Sequence, residues 1–565
     1  MKKVIILGGG VAGMSAAHEL IERGFVVEVY ERHEKYPGGK ARSVEVQLPG
    51  LEKNKPLPGE HGFRFFPGFY THIIDTLKRI PFKKTDGTVS TVFGNLVPTK
   101  RVRMAREGKK SIFSIVSFPK SVKDIETILN AMHSDTGLTV EEKAFFAGKV
   151  WQLMTSCYER RVSDYERISW WDYTEADRFS DDYKALFVQG LTRTLVAANA
   201  RKASTKTGGD IFLQLIFNMA NPLVDTDRVL NGPTNEVWLY PWLDYLQSKG
   251  VRYFHNHEVN SLKLENGKIT GAIVVDKNTG NELNVTGDYF LIALPVERAA
   301  KLMSNEVLAA DNTLSGIVKL ASSVAWMNGV QYYLTEKADI VDGHCIYSDS
   351  KWALTSISQL QFWKDFDISA YGNGKVHTIL SVDVSDWDTP GHNGLPAKQC
   401  THAQIKDEIW KQIALSLNAG GEHAVPDKTP ELWYIDGDVK QIPGTGDREE
   451  NEEPLLVNTV NSWALRPEAF TRIPNLFLAS DYVRTYTDLA TMEGANEAAR
   501  RAVNGIIDAS GVDTPFCELW NLHEPAVLKS LKRRDEKRFK AGLPYKAFFP
   551  WWMRIILGLK SLLKR

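Results

Sequence analysis

The feature that most constrains this chain is a glycine-rich turn set between a strand and a helix at its very start. Val4-Ile5-Ile6-Leu7 is short and wholly apolar, the pattern of a parallel strand buried on both faces. Gly8-Gly9-Gly10-Val11-Ala12-Gly13 comes at once after it and fits G-x-G-x-x-G. Met14 to Arg23 then reads as a helix closed by Gly24, and Val26 to Tyr30 as a second strand ending on Glu31. In such a unit Gly8 permits the tight turn, and Gly10 lets a pyrophosphate approach the backbone. Gly13 lets helix and strand pack closely, and the helix N-terminus, with Ala12 in its first turn, offers free N–H groups and a positive dipole end. Glu31 stands where a carboxylate accepts hydrogen bonds from ribose hydroxyls. A glycine turn serving the fold alone leaves Glu31 unexplained, so the unit predicts a bound dinucleotide.

The residues just beyond this acid separate FAD from NAD. Pro37-Gly38-Gly39-Lys40-Ala41-Arg42-Ser43 is a second glycine-rich loop. Here the sequence resembles the flavin amine oxidase superfamily, whose first unit runs on into a G-G-[RK]-x-x-[ST] segment against FAD. The resemblance implies that Gly39, Lys40 and Arg42 join the cofactor site, although the gap from Glu31 to the Gly-Gly pair is a residue longer than in the family pattern. Glu60-His61-Gly62-Phe63-Arg64-Phe65-Phe66-Pro67-Gly68-Phe69-Tyr70 is similar to the E-x-G-x-H-x-F-x-G-x-Y segment of plant-type phytoene and ζ-carotene desaturases, with Arg64 at the usual histidine. In that family the stretch runs along the flavin ring, which makes Arg64, Phe66 and Tyr70 pocket candidates.

Two later segments resemble the same family. Asn231-Gly232-Pro233 through Ser248-Lys249-Gly250 looks like the return to the FAD domain, leading into a strand and a β-meander over the adenine. Val259 would be the residue whose backbone faces the adenine. Leu476 to Ala479 is an apolar strand delivering Asp481 to the ribityl chain or pyrophosphate. Leu489-Ala490-Thr491-Met492-Glu493-Gly494-Ala495 is similar to the family's A-S-M-E-G-A signature, while Ser480 replaces the glycine of its A-G-D-Y. The implied cofactor contacts are Met492, Glu493 and Ala495, at the start of a helix whose N-terminus points at the flavin N1 and O2 edge and stabilises the reduced ring.

The fold these pieces predict is α/β: a two-dinucleotide-binding (Rossmann-like) FAD domain with a β-meander, interleaved with an α+β substrate domain. The FAD domain would comprise 1–75, 231–300 and 465–510, the substrate domain 76–230 and 301–464. Residues 511–565 would form a basic amphipathic tail, dispensable for folding and for FAD retention.

No nucleophile or metal site stands out. The cysteines Cys157, Cys345, Cys400 and Cys517 are far apart with no metal-ligand spacing, and a reducing compartment is expected. The catalytic residue stays unassigned, since the flavin carries the chemistry and the protein supplies orientation and a dry pocket. Aromatic runs such as Trp170-Trp171 and Tyr332-Tyr333, with Tyr332 a further pocket candidate, favour an apolar substrate. Lys319 is where an amine oxidase-type lysine over flavin N5 would lie.

Lys plus Arg equals Asp plus Glu, 69 against 69, but the balance is uneven. From Lys529 onward there are twelve Lys and Arg against Asp535 and Glu536, an excess of ten. Interleaved with Phe548, Phe549, Trp551 and Trp552, these charges suit a helix lying on an anionic leaflet. The N-terminus lacks a signal-peptide pattern, and no run reaches the ~18 apolar residues of a spanning helix. No base-reading module accompanies the basic stretch, so nucleic acid is not an expected partner.

The sequence therefore predicts an FAD-dependent desaturase or dehydrogenase of the phytoene desaturase-like kind. It would be cytoplasmic and peripheral on the inner face of the membrane, acting on a long isoprenoid or other lipid, with quinone or oxygen as electron acceptor. A lipid double-bond isomerase, an amine oxidase making imine and hydrogen peroxide, and a non-enzymatic FAD-binding protein are the alternatives.

Overall fold

The computed structural model describes residues 1–84, 86–116, 119, 124, 126–128, 131, 134–190, 199–221, 227–442 and 449–548. Five strands pair in parallel in the order Arg252–Phe254, Val26–Tyr30, Lys3–Leu7, Tyr289–Ile292 and Leu476–Leu478. Their side chains are almost wholly apolar because helices cover the sheet. The helices Val11–Ile21 and Met492–Ser510 pack together, and the Asn496 amide donates to the Ser15 hydroxyl at 2.8 Å across their contact. The meander consists of three antiparallel strands, His257–Glu265, Lys268–Asp276 and Glu282–Val285. The α/β character and the meander match the sequence expectation.

A second, mixed sheet has seven strands: Lys109–Ile115, Arg101–Arg106, Gly343–Tyr347, Leu354–Ser358, Thr378–Val384, Asn328–Leu334 and Leu432–Ile435. The helix His402–Leu417, started by a Thr401/Gln404 capping box, buries Ile405, Ile409 and Ile413 against one face. Strand alternation puts Tyr332, Cys345 and Val382 on that covered face, and His344, Ile346 and Asp383 on the other.

Helices Val140–Thr155 and Thr205–Ala220 enclose a third core of Phe146, Leu153, Trp170, Trp171 and Leu213. The basic helix Lys529–Lys540 belongs to this core through Leu531, and its buried Asp535 pairs with Arg160 at 2.9 Å. Upstream, Cys517 sits in the core of the parallel sheet, the Trp520 N–H donates to His72 at 3.0 Å, and Arg161 pairs with Glu524 at 2.9 Å. These contacts tie the chain beyond Gly511 to the fold: Cys517 joins one core, Leu528 and Leu531 join another, and Phe548 packs against the second. The remainder of the terminal apolar and basic run, with Trp551 and Trp552, lies outside the described residues. No described helix is long and apolar enough to cross a membrane.

Candidate functional site

A cavity of about 1180 Å³ runs from the N-terminal glycine turn to the open face of the seven-stranded sheet. Gly8, Gly10, Ala12, Glu31, Gly39, Lys40 and Val259 line one end, and Arg64, Tyr70, Asp481, Met492 and Ala495 lie further along.

The three motif glycines prove to do different work. Gly8 has φ +107°, and an added Cβ would sit 2.7 Å from the Ala293 carbonyl oxygen. At Gly13 a Cβ would lie 1.9 Å from the Gly8 carbonyl oxygen, so this residue serves strand–helix packing and does not line the cavity. At Gly10 the nearest protein atom to an added Cβ is 3.9 Å away. Protein packing therefore does not demand glycine there; a group lying in the cavity would. The helix that Gly10 opens has no side-chain cap and no acid in its first turn, which leaves its N-terminal N–H groups for an anion. Glu31 is fixed by N–H donors from Gly9 at 2.7 Å and His33 at 2.9 Å, and it also lines the cavity. These features fit a dinucleotide cofactor.

Five further sequence candidates lie off the cavity wall. Arg42 is turned away: its guanidinium donates to Asp438 at 2.6 Å and to the Gly39 carbonyl at 2.9 Å. Glu493 points to the neighbouring helix His72–Arg79, where it accepts N–H bonds from Thr71 and His72 at 2.8 Å and from Ile73 at 2.9 Å. It caps that helix instead of meeting the cavity. Phe66 packs edge-on against Trp238, and Phe63 and Phe65, both in contact with the His344 ring, line the cavity instead. Tyr332, on the helix-covered face of its sheet, packs on Trp410 and donates to the Lys406 carbonyl at 2.7 Å. Lys319 is solvent-exposed and away from the cavity wall.

Met492 and Ala495 occupy the first turn of the helix Met492–Ser510, whose N-cap Thr491 accepts from the Gly494 N–H at 3.2 Å. Gly494 itself is required by the Leu489 carbonyl, 2.6 Å from where its Cβ would be. Ser480 keeps a φ of +150°, a backbone shape that favours the glycine it replaces.

Sequence reading missed a group of buried charges at the far end. Glu60 and the cavity-lining His61, Arg64 and Asp383 come together with Asp436 and Asp438. Burial pushes Glu60 up to about 7, against the Arg64 charge and the Thr234 hydrogen bonds. Burial opposes protonation of His61, but Asp436 at 2.6 Å and Asp438 at 3.2 Å outweigh it and lift the imidazole to about 9. Burial also raises Asp383 to about 7, resisted by Arg64 and His61. Burial alone drives His344 down to about 4, so its imidazole is neutral. The rest of this end is mainly apolar, with Val102, Met104, Phe212, Leu215 and Ile346 on the wall beside the hydroxyls of Ser114, Ser348 and Thr355.

Comparison with known proteins fits this geometry. The sequence profile of the family described as "Flavin containing amine oxidoreductase" matches residues 11–507. A zeta-carotene desaturase of Synechocystis sp. is 23% identical over 534 residues, covering 89% of this chain and 97% of its own. A 1-hydroxycarotenoid 3,4-desaturase of Flavobacterium sp. is 35% identical over 82 residues, 14% of each chain. Among solved structures, wild-type putrescine oxidase bound to putrescine superposes with a TM-score of 0.59 at 13% identity, covering 90% of this chain and 99% of its own. That likeness concerns the fold.

Proposed function

The chain belongs to the flavin-containing amine oxidoreductase family, and from that premise we propose that it dehydrogenates a long apolar polyene of the carotenoid-precursor kind. It is an FAD-dependent oxidoreductase. FAD, when bound, takes up hydride from the substrate and passes the electrons to quinone or oxygen. Gly10 and Ala12 would receive the pyrophosphate, Glu31 the ribose and Val259 the adenine. Asp481, Met492 and Ala495 would meet the ribityl chain and ring, and Lys40, beside the Pro454 carbonyl and Glu297, would close the phosphate end. In this reading the FAD half comprises 1–75, 231–300 and 465–510, and the substrate half 76–230 and 301–464.

The observation that carries the substrate reading is the apolar arm of the cavity. A hydrocarbon gains by burial there, whereas an ammonium ion would lose its hydration against Val102, Met104, Phe212, Leu215 and Ile346. An anaerobic bleaching screen of the holoenzyme with ζ-carotene, unsaturated fatty acids and amines tests it. Bleaching by the polyene alone is the expected result; bleaching by an amine alone would replace this reading with amine oxidation. Conversion of a polyene to a double-bond isomer without net oxidation would mark an isomerase.

We further propose that the protein works at the cytoplasmic face of an anionic membrane. Lys529, Arg533, Arg534, Lys537 and Lys540 are exposed on the helix Lys529–Lys540 and are available to such a surface. A chain ending at Phe548 keeps the packed part of this segment and is the proper truncation. It should retain FAD and bind anionic vesicles more weakly than the full chain, since it lacks Trp551 and Trp552.

A further inference from the structure

We propose that Asp383 is the proton acceptor of the reaction, the carboxylate that receives the proton from the carbon adjacent to the one losing hydride. The inference rests on the dehydrogenation reading above. Forming a carbon–carbon double bond removes two hydrogens. One leaves with its bonding pair to FAD; the other C–H bond breaks, its pair becomes the new π bond, and a proton must go to a base. In an apolar cavity that base has to come from the wall.

Several wall groups are already engaged. Glu31 is held by the Gly9 and His33 N–H groups, Glu453 by Arg32, and Asp227 by the Gly68 N–H at 3.0 Å. His344, driven to about 4 by burial, would hold a proton less readily than a carboxyl near 7. Asp383 differs from these. It sits on the open face of the strand Thr378–Val384, is buried and lines the cavity, and although the Phe63 backbone N–H lies beside the carboxylate, its Oδ1 has no hydrogen-bond partner.

The backbone clears space for that oxygen: a Cβ on Gly62 would lie 2.8 Å from it. Its charged surroundings are Arg64 and His61 from the Glu60–Tyr70 segment and Asp436 beyond the strand Leu432–Ile435. Arg64 has buried Nε and Nη2 atoms without hydrogen-bond partners and feels both Glu60 and Asp383. It is therefore the positioning residue that keeps Asp383 from becoming too strong a base to release its proton.

The test uses the holoenzyme and Asp383→Asn, with ζ-carotene in detergent micelles as the probe. The variant should keep its FAD absorbance, yet its flavin should be reduced anaerobically about 100-fold more slowly. In the wild type the reduction rate should rise with pH through about 7 as Asp383 ionises, and the variant should lose that rise. Infrared difference spectra taken across the same range, without substrate, should show a protonated-carboxyl band titrating near 7 that loses one component in the variant. If Asp383→Asn sheds FAD, Gly62→Ala presses a methyl on the same oxygen and should slow reduction and shift the pH midpoint. Reduction of Asp383→Asn within about threefold of wild type, with the pH rise intact, overturns the proposal. A wild type bleached by an amine and not by ζ-carotene overturns the polyene reading alone. The carboxyl band then judges Asp383, and a band unchanged by the substitution sinks it with any substrate.

Discussion

The two ends of the cavity are built on opposite principles. At the glycine end the chain acts mostly through its backbone, and the key residues lie close together in sequence between Gly8 and Lys40. At the far end it acts through charged side chains gathered from the Glu60–Tyr70 segment, the strand Thr378–Val384 and the Asp436–Asp438 turn. A cradle for a polyanion can be made by leaving side chains out, because N–H groups and a helix dipole are supplied by any correctly folded backbone. A site that must hold a proton in apolar surroundings needs ionisable groups, and these must be partnered against burial.

The sharpest way to break this comparison is to add the same methyl at two glycines. Gly13→Ala, 1.9 Å from the Gly8 carbonyl oxygen, should abolish the fold or cost more than ~4 kcal/mol in a denaturant melt. Gly10→Ala, with 3.9 Å of clearance, should leave the apoprotein melt nearly unchanged while FAD affinity falls about 100-fold. Equal effects on fold and cofactor at both sites would show that the glycine end is not divided in this way.

At the charged end, Asp438→Asn removes the partner of Arg42 and one of the two carboxylates beside His61. Unfolding titrations should show a loss of about 3 kcal/mol, the scale of a broken buried ion pair. A neutral result would mean that water reaches these charges.

The pH dependence has a definite sign. The folded imidazole of His61 titrates near 9, above its unfolded value, so its stabilisation is complete below about 6.5 and is lost as pH rises to 9. Glu60 and Asp383, raised to about 7, push the same way over the range from about 4 to 7. The denaturation midpoint should therefore fall between pH 6 and 9, and His61→Gln should flatten the upper part of that fall. A midpoint that rises with pH would contradict the assignment.

The smallest expected effect is at Ser480→Gly. Relief of the +150° φ should raise stability by about 1 kcal/mol, read as a shift of about 2 °C in Tm.

The legibility of the sequence divides along the same line. Hydrophobic runs and glycine spacing marked the strands Val4 to Leu7, Val26 to Tyr30 and Leu476 to Ala479, because each is a local pattern, while the meander came with the family resemblance. Met492 and Ala495 came from the family signature, and the structure sets them in the first turn of the helix Met492–Ser510 on the cavity wall. Arg42 and Glu493 were misread, since motif letters do not reveal which way a side chain turns once Asp438 or the 72–79 helix arrives beside it. Tyr332 failed on strand parity, which cannot be settled within an aromatic pair. Asp383 did leave a trace, an acid inside the otherwise buried run Thr378–Val384, although its neighbours come from distant stretches of chain.

Glu493 bears on how such signatures persist over descent. Three backbone N–H groups of another helix hold its carboxylate, so its identity is enforced by folding whether or not a flavin is ever used. In a lineage that abandoned the cofactor, Gly10 would be free to drift while Glu493 stayed fixed. Surviving letters of the signature would then testify to ancestry, and the clearance at Gly10 would testify to present use.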